Sequence, residues 1–167
     1  MTISDILLED FDMEMAMTRR ILAAIPENCP DFKPHEKSMP FGRLAVHVAT
    51  LPRFGNDILT TPGMDLATVK WPTLVFVSTA QLLSDFDTLA AETRAALAAS
   101  SDEDLQHIWK FTFGDRVISA TTRSCCFRHM FFSHMVHHRA QLGVYLRLNN
   151  LPVPGIYGPS ADEPFTP

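Results

Sequence analysis

Residues 133–147, SHMVHHRAQLGVYLR, carry three imidazoles within five positions of a segment that otherwise repeats like a buried helix. At about 100° per residue, His138 lies about 40° from His134, and His137 about 60° to the other side. The same stripe runs back through Phe127, Met130 and Phe131 and forward through Gln141 and Tyr145. His134 and His138 therefore share the middle of an apolar face, with His137 at its edge. His129 falls on the far side with Arg147, as a solvated residue. Burying imidazoles without partners costs hydrogen bonds. Side chains at i and i+4 stack on one face and can grip a single ion, and neutral imidazole suits zinc, copper, iron or nickel. Core histidines satisfied by backbone or carboxylate are the competing reading, and this spacing alone leaves it open.

A third imidazole tips the balance. His47 shares a face with Leu44, Val48, Leu51 and Phe54 on a different helical pattern. Three histidines with one coordination position left over make a catalytic type of metal site rather than a sealed structural one. Cysteine adds nothing to it. Cys29 stands alone and Cys125 and Cys126 are adjacent, so no CxxC pair supports a thiolate zinc site or a dithiol redox motif.

The elements that must position these rings are mostly helical. Leu8, Phe11, Met15, Thr18, Leu22 and Ile25 form one stripe over residues 4–25, with Ser4 as cap and Pro26 as terminator. A second helix begins near Ser38 with Pro40 in its first turn, and Pro52 should kink or weaken it just beyond His47. Residues 60–77 read as a long connection in which WPTLVFV could form a short strand. Ser78-Thr-Ala-Gln81 is a capping-box pattern that opens a third helix through about Ala99. Trp109, Phe111 and Phe113, followed by Gly114-Asp115 and Arg116-Val-Ile, suggest a short hairpin. The last helix runs from about Ser119 to Leu148, and the Pro/Gly-rich tail cannot extend it. The expected fold is all-α: a four-helix bundle with a short β-hairpin before the last helix, as a single domain over residues 1–167.

Composition excludes several classes. Of the 167 residues, 46% are hydrophobic and 20% charged, as in soluble globular chains. A net charge of −5 argues against a nucleic-acid partner. No apolar run approaches the roughly 20 residues that span a bilayer, and the acidic start MTISDILLEDFD is unlike a secretory signal. A cytoplasmic protein is expected.

The separated tracts His134-x-x-His137-His138-Arg139-Ala140-Gln141-Leu142, Tyr145-Leu-Arg and Pro-Val-Pro-Gly-Ile-Tyr-Gly-Pro-Ser resemble the last helix and tail of the DinB-like (DinB/YfiT-type) family. Lys33-Pro34-His35-Glu36-Lys37-Ser38 and Leu44-Ala45-x-His47-x-Ala49 resemble that family's approach to its second helix. Ala140 stands where the family usually has glycine. The resemblance implies a four-helix bundle, often dimeric, with His47, His134 and His138 as ligands of a divalent transition metal, zinc or nickel foremost, iron or manganese next. It implies a metalloenzyme that works through a metal-bound thiolate or hydroxide, either a transferase using a low-molecular-weight thiol cosubstrate or a small-molecule hydrolase. The alternative is a non-catalytic, dimeric, stress- or damage-inducible bundle with a structural metal or none. His137, as a proton shuttle or a bond to a neighbouring helix, and Gln141 and Tyr145, on the stripe, are the catalytic candidates. Glu14 and Thr18 are candidates to orient a ligand from behind. Phe132, Val136 and Gly143, on the rear of the last helix, could form a dimer face or belong to the core.

Overall fold

The computed structural model describes residues 1–70, 73 and 75–165. Helix α1 spans Ile3–Ala23, α2 Phe41–Thr60 and α3 Thr79–Ala99, with a short α4 at Asp102–Gln106. A final rod is built of three joined pieces: α5 (Arg123–Cys126), a π-helical segment (Phe127–Phe132) and α6 (Ser133–Leu148). Strands β1 (Gly63–Asp65), β2 (Ile108–Phe113) and β3 (Arg116–Thr122) form one sheet in the order β1-β2-β3. The chain is thus mostly helical with a small sheet, rather than all-α.

The helices follow their apolar stripes. Leu7, Phe11, Met15, Thr18 and Leu22 turn α1 inward, and Leu82, Phe86, Thr93 and Leu97 do so for α3. Both α1 and α2 pack against α3 and the final rod. Thr2, not Ser4, caps α1, forming a capping box with Asp5. Ser38 caps nothing, since α2 starts at Phe41. Its free amides are met by loop carbonyls instead: Phe41 donates to Phe32 at 2.9 Å and Gly42 to Pro30 at 2.8 Å.

Pro52 does not interrupt α2, which continues to Thr60. The Pro52 carbonyl accepts a 2.7 Å hydrogen bond from the buried hydroxyl of Thr93 on α3. The small residue next along this face is equally specific. A Cβ on Gly55 would stand 2.9 Å from the ring of Phe131, so glycine lets the final rod close on α2.

β2 and β3 pair antiparallel through Gly114-Asp115, with Gly114 at φ +56° where left-handed backbone suits glycine. β1 was not expected from sequence. It lies parallel to β2, and the Asp65 carboxylate accepts from the amides of Ala67 and Gly114, tying β1 to the β2–β3 turn. Three residues are too few for a periodic signal. Val75, Phe76 and Val77 form no strand, and Trp71, Pro72 and Leu74, the rest of the possible strand but for Thr73, lie outside the described residues.

The final rod starts at Arg123 rather than Ser119, because residues 119–122 complete β3. Its π turn is the larger departure. Hydrogen bonding from i to i+5 widens the turn, and Phe127, Phe131 and Phe132 all point inward around Phe11, with ring centroids 6.2–6.4 Å from it. Phe132 is therefore core, and Gly143 sits under the Val153 side chain of the tail. Phe132 is thus not free for the rear-face contact considered from sequence, whereas Gly143 stays partly exposed. No helix among the described residues is long and apolar enough to cross a membrane.

Candidate metal centre and adjoining cavity

α2 supplies His47, and α6 supplies His134 and His138 one turn apart. One nitrogen from each ring lies within 4.8 Å of the others. Ring centroids are 5.1 Å apart for His47–His134 and 4.7 Å for both His47–His138 and His134–His138. The Nε2 atoms of His47 and His134 are 3.3 Å apart. All three rings are partly buried.

Their electrostatics keep them neutral. Burial first, then the neighbouring His138, His134 and Arg43, pushes His47 down to about 4. Burial, followed by His138 and His137, also lowers His134, although a hydrogen bond to the Met130 backbone opposes this. His138 is lowered chiefly by burial, with Gln141 opposing. Near neutral pH each ring therefore keeps a lone pair for a ligand role.

Gln141 sets one of those lone pairs. Nδ1–H of His138 donates to Gln141 Oε1 at 2.7 Å, which leaves the lone pair of the neutral ring on Nε2. The Gln141 amide donates in turn to Nε2 of His137 at 3.3 Å. His137 is exposed and lies 4.8 Å from His138, ring to ring, at the rim as its helical phase requires.

Other expected roles are not what the structure shows. Tyr145 is buried, and its hydroxyl donates to the Met39 carbonyl at 2.9 Å, which makes it a tie between α6 and the loop before α2. Glu14 and Thr18 face Arg139 rather than orienting a histidine. Arg139, 2% exposed, donates to the Thr18 hydroxyl at 3.0 Å and to the Glu14 carbonyl at 3.1 Å. It also pairs with the Glu14 carboxylate at 2.7 Å. Tyr157 of the tail closes this cluster, its hydroxyl donating to Glu14 and accepting from Arg139 at 2.5 Å each. The partner of Glu14 was hidden because Arg139 sits in a run of polar residues that reads as surface.

A cavity of about 1000 Å³ opens beside the histidines, and His47 and His134 form part of its wall. His129 is exposed, as expected, but it lines the cavity as well instead of facing the far side that a uniform α-helix gives it. The π turn changes the angular step through this stretch, so His129 comes round to the cavity wall that His134 also lines. Arg43 and Arg53 of α2, Leu66 and Phe111 also line the cavity and were not singled out from sequence. Arg43 was legible in principle, since it precedes His47 by one helical turn.

The DinB family model matches residues 4–165. Among solved structures, the chain is similar to a DinB-like protein from Bacillus cereus, with a TM-score of 0.67 and 22% identity over 90% of this chain and 95% of that one. It is equally similar to the DinB-like protein YjoA of Bacillus subtilis, with a TM-score of 0.67 and 20% identity over 90% of this chain and 96% of that one. No curated protein matches the sequence.

Proposed function

Because the chain belongs to the DinB family, we propose that it is a metalloenzyme whose His47, His134 and His138 hold a divalent transition metal. Zinc or nickel fits best, with iron or manganese next. Its reaction is thiol-dependent S-transfer or hydrolysis of a small molecule. The four long helical elements are read as the family's four-helix bundle, working in the cytoplasm as a homodimer.

The observation that carries this reading is the convergence of three imidazole nitrogens within 4.8 Å. Their chemistry fits an ion. Two nitrogens each about 2.0–2.1 Å from a tetrahedral metal stand about 3.3 Å apart, and the His47–His134 separation is 3.3 Å. The three rings are held neutral, and His138 has its second nitrogen committed to Gln141. A divalent ion held by three neutral ligands keeps its full charge and acts as a Lewis acid.

The chain's own residues supply the rest. Gln141 holds the proton on Nδ1 of His138. Leu51, Phe54, Leu89 and Phe111 make the adjoining cavity largely apolar, which removes water from a bound substrate. The thiol of an S-transfer must come from a cosubstrate. Cys126 is buried, with its thiol pushed up by that burial, and neither it nor Cys125 lines the cavity. The open cavity favours catalysis over the alternative of a non-catalytic dimer with a structural metal, whose site would be sealed.

Elemental analysis after expression in metal-supplemented medium tests the reading. About one equivalent of a transition metal per chain is expected, and its loss in His138→Ala. Less than about a tenth of an equivalent in the wild type would overturn it. Thiol-transfer assays against a panel of small bacterial thiols, alongside esterase and amidase substrates, then separate the two chemistries.

A further inference from the structure

We propose that the cavity beside the histidines receives an organic anion with an apolar body, and that Arg43 recognises its charge. This deepens the reading above and rests on it for the cavity being the substrate chamber.

The sign of the charge in the cavity is opposite to that of the protein. The chain has 19 acidic residues against 14 lysines and arginines, a net charge of −5. Yet among the described residues that line the cavity there is no carboxylate, while Arg43 and Arg53 both do so. The remainder of the wall is mostly apolar, drawn from Leu51, Phe54, Leu66, Leu89, Phe111 and Met130. A wall of this kind selects a molecule that is greasy over most of its surface and negative at one point.

The two arginines are not equivalent. Arg53 stands one turn before Asp57, whose carboxylate feels its charge, so part of that charge is already answered within α2. Arg43, like Arg53, has no ion pair and no hydrogen bond from its guanidinium among the described residues. It lies one turn, about 6 Å along the axis, before His47, and its charge reaches that ring. A carboxylate engaged by its two-pronged donor face would place the rest of the ligand alongside the histidines. The Arg43 side chain is exposed, so no burial holds it away from a ligand.

The test compares 2-naphthylacetate with its neutral counterpart 2-naphthylacetamide, by calorimetric titration of the full-length protein, both as purified and after chelator treatment. The chelated arm removes any attraction of the probe to an ion. Wild-type protein is expected to prefer the carboxylate by about tenfold or more in both arms, as a charge-assisted hydrogen bond gives. That preference should shrink as KCl is raised from about 50 to about 300 mM. Arg43→Gln should abolish it while naphthylacetamide binding and the melting temperature stay unchanged. Arg43→Lys should retain part of it, and Arg53→Gln should cost less than Arg43→Gln. Equal binding of the two probes, no binding of either, or a preference that survives Arg43→Gln overturns the proposal. Metal content measured on the same samples reports on the histidine site independently: a full equivalent of metal with no charge preference sinks only this inference, and a charge preference without metal sinks only the metal reading.

Discussion

Gln141 accepts from Nδ1 of His138 at 2.7 Å and reaches Nε2 of His137 with its amide at 3.3 Å, so one carboxamide links an inner imidazole to the rim. Its oxygen can only accept, and that fixes which nitrogen of His138 carries the proton. Partners of this kind orient metal-binding histidines and raise their basicity.

Gln141→Ala should weaken metal affinity by about 10–100-fold without abolishing it. Competition against a chromophoric chelator measures this. Gln141→Glu keeps an acceptor at the same place and should stay within a few-fold of wild type; an unchanged affinity in Gln141→Ala would remove the residue from this role.

The buried rings dictate an acid sensitivity. His47 titrates near 4 in the folded protein against about 6.5 in an unfolded chain. The unfolded state therefore binds the proton first as pH falls. Stability conferred by keeping the ring neutral is complete above pH 6.5 and is lost progressively between about 6.5 and 4, levelling below that. His134 and His138, also lowered, add in the same direction. Thermal melts of chelator-treated protein across this range should show the decline, and His47→Gln should flatten it. An equally steep decline in that variant would place the cause elsewhere.

Arg139 and Glu14 form a nearly buried pair, with side chains 3% and 15% exposed. Arg139→Met leaves the carboxylate without its cation and should cost about 3–5 kcal/mol, whereas adding Glu14→Leu should recover most of the loss. Denaturant titration of the single and double variants distinguishes this from simple loss of packing, for which the second substitution would bring no recovery.

Gly55→Val would drive a branched side chain into the ring of Phe131, which Phe11, Phe127 and Phe132 hold in place. Overpacking of this kind costs about 1–3 kcal/mol, and at this chain length that lowers the melting temperature by about 2–12 °C. Scanning calorimetry reads the shift, and an unchanged melting point would mean that the final rod can back away from α2 freely.

His47, His134 and His138 were legible because α-helical phase is reliable where the helix is regular. Both α2 and α6 are regular at those positions, and each histidine keeps apolar company. His129 was misplaced for the opposite reason: no residue type in FRHMFF announces a π turn, and a uniform 100° step then carries His129 to the wrong side. Tyr145 and Thr18 show a second limit. Periodicity says that a polar side chain points inward, but its partner is set by packing between elements far apart in sequence, here Met39 and Arg139. β1 shows a third, since its pairing with β2 is fixed by Asp65 and the close approach of Gly63 to Lys110 rather than by any alternation of its own.

The wide turn at Phe127–Phe132 fits one residue more than an α-helix would use over the same rise. A chain shortened by one residue there could still seat α5 and α6 where they are, so His134 and His138 would stay aligned with His47. Only the neighbours in the shortened stretch, His129 and Met130 among them, would rotate away from the chamber. Its lining and its donor atoms are thus separately adjustable, and relatives could diversify what they admit by insertion or deletion at one spot while the imidazoles stay fixed.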